Sequence, residues 1–233
     1  MERKSGLWSK IRTPFKVIIA VVLTLAMIGV LVKLYYFEDT DNARIAKLAR
    51  ELHGLKSAMN VDSVRQYNIQ KIISIIDQYN AKMPTSEKYE IADEIYNMSV
   101  KYTNLSVELI CATITHESAG TWDPEIVSPA GAMGLMQIMP TTGMFVANYE
   151  GITWSSAEIL FNPFYNIRIG SRYLSSLIES YDVDGGLAAY NGGEKRASLW
   201  IKSGRENHLL FSETRNYVPA VIKLYNEYQN LTL

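Results

Sequence analysis

Thr115-His-Glu-Ser-Ala-Gly-Thr-Trp-Asp-Pro124 and, a little further on, Gly134-Leu-Met-Gln-Ile-Met-Pro140 place one carboxylate, Glu117, where an apolar helix gives way to a glycine-punctuated loop. Ser106 can cap that helix, and Val107, Ile110 and Ile114 lie on one of its faces. Glu117 continues that face, because 110, 114 and 117 stand at i, i+4 and i+7. The acid therefore points to the side of the core. A carboxyl in apolar surroundings has its charged form disfavoured, so it holds its proton to higher pH and can donate it near neutrality. A glutamate at a helix end more often faces water; here the preceding apolar run and the glycines at 120, 131 and 134 argue for a cleft rim.

The stretch Ser128-Pro-Ala-Gly-Ala-Met-Gly134 reads as a tight turn in which glycine lets main-chain groups approach a ligand closely. The spacing then predicts a short helix around Leu135–Met139, ended by Pro140, that carries Gln137. An amide among Met136 and Met139 needs partners, either main chain or substrate hydroxyls. Ala188-Ala-Tyr-Asn-Gly-Gly193 reads as a small-residue helix closing on a glycine cap, with Tyr190 and Asn191 able to project from its end. Ser212 reads as the N-cap of a last helix, with Glu213 in its first turn.

Elsewhere helical patterns prevail. Ile69, Ile72, Ile73 and Ile76 form a stripe ended by Asn80. Thr85 or Ser86 can cap a helix bearing Ile91, Ile95, Met98 and Tyr102. Further helices are expected near 167–181, 185–190 and 213–229, the last with Pro219 inside it. The only strand candidate, Ile152-Thr153-Trp154, is short, so the fold is expected to be mainly α.

Residues 17–32 are uncharged and apolar, flanked by Lys16 and Lys33, and Tyr35, Tyr36 and Phe37 supply an aromatic belt. Arg3, Lys4, Lys10, Arg12 and Lys16 precede the span, and Glu38, Asp39 and Asp41 follow it. The positive-inside rule puts the leader in the cytoplasm and the remainder outside it, as a single-pass inner-membrane protein with a periplasmic domain. A cleaved signal peptide is the rival reading; the bulky exit Lys33-Leu-Tyr-Tyr-Phe37 lacks a small-residue cleavage site and favours an uncleaved anchor. The chain thus divides into a basic leader (1–16), a membrane span (17–37), a helical stalk (38–67) and a globular domain (68–233). In the stalk Ile45, Leu48, Leu52, Leu55 and Met59 form a short a/d stripe, either an amphipathic face or a weak dimer seam interrupted by Gly54.

A net charge of -1 gives no support for nucleic-acid binding. Three scattered histidines (53, 116, 208) lack metal-ligand spacing, and neither a metal nor a cofactor is expected. The lone Cys111 sits in an apolar run and reads as an inert core thiol.

Glu117-Ser118, Gly134-Leu-Met-Gln-Ile-Met-Pro140, Asn162-Pro-x-x-Asn-Ile-x-x-Gly170, Ala189-Tyr-Asn-Gly192 and Glu213-Thr-Arg-x-Tyr-Val218 occur in this order. Together they resemble the catalytic domain of soluble lytic transglycosylases, over about residues 68–229. The resemblance implies a goose-lysozyme-like helical fold, with Glu117 as sole acid/base and Ser128, Gln137, Met139, Tyr190 and Glu213 on the cleft. It further implies cleavage of peptidoglycan strands between N-acetylmuramic acid and N-acetylglucosamine, closing a 1,6-anhydro ring. Two departures stand out: Ala119–Pro124 is longer than usual, with Asp123 in place of Asn, and Gly192-Gly193 replaces Ala-Gly. From the residues alone, a lysozyme-type hydrolase and a non-catalytic peptidoglycan-binding scaffold of an envelope machine stay open, since Asp123, Glu125 and Glu213 are further carboxylates.

Overall fold

The computed structural model describes residues 7–233, with side chains from residue 17 onward except 37–43, 45 and 46. The basic leader and Ile45 of the stalk stripe lie outside the described side chains. The described chain forms α1 (Leu7–Tyr79), α2 (Thr85–Lys101), α3 (Val107–Glu117), α4 (Pro140–Ala147), α5 (Pro163–Gly192), α6 (Glu194–Lys202) and α7 (Ser212–Gln229). Among the described residues there is no strand, only two isolated bridges, Val127 to Met133 and Met133 to Ile138.

Two compact units divide the chain, Met1–Asp62 and Ser63–Leu233. The first is helical from Leu7 onward, and Val17–Tyr36 is a 20-residue stretch of mean hydropathy 2.8, long enough to cross a bilayer. Leu48, Leu52 and Leu55 of the stalk stripe are exposed.

In the second unit the end of α1 contributes Ile69, Ile72, Ile75 and Ile76 to the core, with Ile73 half-buried at its edge. α2 buries Ile91, Ile95 and Met98, and α3 buries Val107 and every residue from Leu109 through Thr115. Ser106 caps α3 as its sequence implied, its hydroxyl accepting from the Leu109 amide at 3.2 Å. Two other expected caps are not made. Pro84 precedes α2 and Phe211 precedes α7, while Thr85, Ser86 and Ser212 lie inside the helices with no side-chain cap bond at either start. The helices expected at 167–181 and 185–190 are joined in α5, which bends at Asp182 (φ 64°, ψ -177°). Asp182 accepts from the Gly185 amide at 2.9 Å and so caps the second arm. α6, absent from the sequence reading, buries only Ala197 and Trp200, too short a pattern to stand out.

Candidate active site

The acid comes from the last residue of α3. Ile110 and Ile114 are fully buried and Glu117 is half-buried, the placement its helical spacing implied. Burial pushes its carboxyl up to about 7 from an ordinary 4.5; an interaction with the Tyr217 hydroxyl opposes the rise and the charge of Glu213 adds to it. The Tyr217 hydroxyl is itself buried without a well-formed hydrogen bond. Its contact with the acid is thus loose in geometry, yet close enough to act on the acid's proton.

The loop after Glu117 is anchored from below. Trp122 is fully buried, and its indole N–H donates to the Thr115 hydroxyl at 3.0 Å. Thr115 meets the Tyr228 hydroxyl at 3.0 Å, and Tyr228 donates to Tyr79 at 3.0 Å. Ser118, also fully buried, accepts from the Trp122 amide at 3.1 Å. Ser118 is therefore a brace for the loop, which seats its tryptophan in the core.

The loop bearing Gln137 corrects the sequence reading. Residues 134–137 form a turn, not a helix, closed by paired bonds of 3.0 Å between Met133 and Ile138. Gln137 has φ 46° and Gly134 φ 75°, so the backbone reverses too tightly for helix. Pro140 begins α4 instead of ending an earlier helix, its fixed φ and missing N–H suiting the first turn. The Gln137 amide donates to the carbonyls of Gly134 (3.0 Å) and Ile126 (3.2 Å), the main-chain choice of the two partners open to it. Met139 is 41% exposed at the start of α4. Ser128 accepts from the Ala132 amide at 3.0 Å, bracing its own turn.

Asn166 holds this loop to α5. Its side chain donates to the carbonyls of Met133 and Leu160 at 2.9 Å each and accepts from the Met136 amide at 2.7 Å. A Cβ at Gly134 would run into the Asn166 amide and the Leu160 carbonyl, which explains glycine there. Tyr190, near the end of α5, donates to the Met136 carbonyl at 2.7 Å. Its hydroxyl is pushed well above its ordinary range by burial and by the nearby Glu117 charge.

Thr214, buried in α7, donates to the Asn191 side chain at 2.7 Å, and Asn191 donates weakly to exposed Glu213 at 3.5 Å. Glu117, Tyr190, Asn191 and Glu213 therefore converge, from the ends of α3 and α5 and the start of α7. Tyr217 and His116 complete the cluster and were missed as site residues. Tyr217 stood within the Glu213–Val218 motif, one turn past Glu213 on the same helical face, and that spacing was the available signal. Cys111 is buried and its thiol is pushed far up by burial, consistent with an inert core residue.

Residues 94–208 match the family described as Transglycosylase SLT domain, a range that stops short of α7 and its Glu213 and Tyr217. A soluble lytic murein transglycosylase of Escherichia coli is 38% identical over 122 residues, 48% of this chain and 19% of that protein. A membrane-bound lytic murein transglycosylase C of Photorhabdus laumondii is 33% identical over 140 residues, 55% of this chain and 38% of that protein. The solved lytic transglycosylase Slt of Pseudomonas aeruginosa, an inactive glutamate-to-glutamine mutant, is similar with a TM-score of 0.53 and 30% identity. That similarity covers 66% of this chain and 25% of that one. The chain spans less than two fifths of the length of each of these relatives.

Proposed function

Residues 94–208 belong to the Transglycosylase SLT domain family, on a mainly α, lysozyme-like fold, and from that premise we propose that the chain is a peptidoglycan lytic transglycosylase with Glu117 as its single acid/base. The observation that carries this reading is a half-buried carboxyl held protonated to about pH 7 at the meeting point of α3, α5 and α7. Among the described residues the one other carboxylate acting on it is Glu213, which is exposed and engaged by Asn191. A two-carboxylate hydrolysis needs its partner acid beside the bond being broken. The substrate can supply the missing nucleophile instead.

In that scheme Glu117 gives its proton to the oxygen bridging N-acetylmuramic acid and N-acetylglucosamine as the C1–O bond breaks. The muramoyl N-acetyl group stabilises the oxocarbenium-like charge. Glu117, now a carboxylate, takes the proton of the 6-hydroxyl while that oxygen bonds to C1, which restores the acid and consumes no water. In this reading Tyr190, Asn191 and Glu213, gathered near Glu117 from α5 and α7, contact the glycan. Ser128, Gln137 and Met139, on the loop before α4, are the further contacts in this reading, and Met139 is exposed there.

Mass analysis of muropeptides released from sacculi tests the reading. Products ending in 1,6-anhydromuramic acid, one water lighter than hydrolysis products, are expected. Reducible ends would install a muramidase, and no release at all would install a binding module.

We propose further that 17–37 is an uncleaved anchor with residues 1–16 in the cytoplasm, 38–67 as stalk and 68–233 as the catalytic domain on the wall side. The apolar 20-residue stretch and the membrane-bound description of the Photorhabdus relative support this. Protease added to spheroplasts should digest the domain, and its protection would overturn the topology. Exposed Leu48, Leu52 and Leu55 offer a seam for weak pairing of two copies, which sedimentation in detergent would reveal. Proteins of an envelope machine are the further partners this placement would allow.

A further inference from the structure

His116 precedes the acid and has no role in the scheme above. Its ring packs edge-on against Tyr217, with centroids 4.8 Å apart and planes 76° apart. Tyr217 is 1% exposed, so its ring cannot swing into solvent, and its hydroxyl acts on Glu117 without a well-formed bond of its own. What fixes that hydroxyl must therefore be the packing of the ring that carries it. His116 supplies one side of that packing.

We propose, on the premise that Glu117 is the acid/base, that His116 is a positioning residue: its ring wedges the Tyr217 ring and so keeps the Tyr217 hydroxyl near the Glu117 carboxyl. Four groups face this imidazole or its partner: Glu117 on α3, Glu213 and Tyr217 on α7, and Tyr190 on α5. Two influences invite a proton onto His116, the Glu213 charge and the carbonyl end of α3. Burial outweighs them and keeps the ring below its ordinary titration range, so it is neutral where Glu117 titrates. Neutrality matters because a cation beside Glu117 would favour the carboxylate and strip the acid of its proton. Position 116 thus asks for a flat ring that carries no charge near pH 7. Phenylalanine meets both demands, alanine meets only the second and lysine meets neither.

The test uses the full-length chain in detergent, with sacculi as substrate and 13C-carboxyl glutamate NMR to titrate Glu117, assigned by loss of its signal in Glu117→Gln. His116→Ala should lower kcat about tenfold or more with little change in KM, and move the Glu117 midpoint by about half a pH unit. His116→Phe should regain most of what alanine loses, and His116→Lys should move the midpoint downward. Thermal melts of all three separate these effects from loss of fold. Wild-type kcat and an unmoved midpoint in the alanine variant would overturn the proposal, as would a folded phenylalanine variant no better than alanine. The titration needs no substrate. If wild-type protein releases nothing from sacculi while the variants shift Glu117 as stated, the activity is wrong and the positioning role stands.

Discussion

The hydroxyl of Tyr190 donates to the main-chain carbonyl of Met136 at 2.7 Å, joining the end of α5 to the turn that carries Gln137 across 54 residues of sequence. This bond and the three made by Asn166 suspend the turn from both arms of the bent α5. The turn beside Glu117 is thus a main-chain loop made rigid by side chains reaching in from a helix.

Removing that bond should loosen the turn. Tyr190→Phe keeps the ring beside Tyr173, whose centroid is 5.4 Å away, but leaves the Met136 carbonyl unpaired. A loss of about 1–2 kcal/mol of stability is expected, together with reduced cleavage. Denaturant unfolding and a rate assay on sacculi check both, and unchanged stability would mean that water replaces the hydroxyl without loss.

Glu117→Gln should cost at least about 100-fold in cleavage rate, because the amide cannot donate and retake a proton. The stability of the wild type should depend on pH in the opposite sense to that set by an ordinary paired carboxylate. The folded-state value of about 7 lies above the ordinary 4.5, so protonation of Glu117 favours the fold fully below 4.5 and that benefit is lost as pH rises through 7. Glutamine escapes this loss. Relative to wild type the variant should gain on the order of 2 kcal/mol between pH 4.5 and 8. Parallel unfolding curves at pH 5 and pH 8 with no such gain would show that the acid is not desolvated.

Glu213→Gln removes a negative charge that raises Glu117. The acid should then lose its proton at lower pH, so the alkaline limb of the rate profile moves down while the product keeps its 1,6-anhydro end. A changed product would make Glu213 a second reacting carboxylate.

Gly134→Ala should be among the most damaging single changes in the loop. The new methyl would strike the Asn166 amide and the Leu160 carbonyl, at a backbone φ of 75°. A penalty of about 2 kcal/mol or more is expected, since a steric clash adds to a strained conformation. Because Asn166 must move, proteolysis should open residues 126–139 before the rest of the domain. A variant as protease-resistant as wild type would show that the loop can shift to make room.

Lys71 and Glu108 form a nearly buried pair at 2.8 Å, 6% and 17% exposed. Burial pushes the Glu108 carboxyl up, but Lys71 and local hydrogen bonds outweigh it and leave it below the usual range. Lys71→Met should cost about 3 kcal/mol by stranding the carboxylate, and adding Glu108→Leu should recover most of it. Equal stability of the single and double variants would show that water already serves the carboxylate.

The amphipathic periods of α2, α3 and α7, the apolar stretch in α1 and the side of α3 on which Glu117 lies were legible in the sequence, because helical spacing is a local rule that burial then enforces. The placement of Glu117 followed from nothing more than its distance from Ile110 and Ile114. The turn at 134–137 did not follow, because Leu135–Met139 has the composition of a short helix. Only the bonds from Asn166 and Tyr190, 30 and 54 residues away from Met136, make the tight reversal cheaper than a helical turn. The raised carboxyl of Glu117 has the same origin: burial in the packed domain lifts it, and from α7, about a hundred residues on, Glu213 adds to the rise while Tyr217 opposes it, where spacing along the chain says nothing of distance. Local periodicity decided which residues face inward. Tertiary packing decided which of them meet, since the cost of burying a charge or a hydroxyl depends on every neighbour the fold brings in.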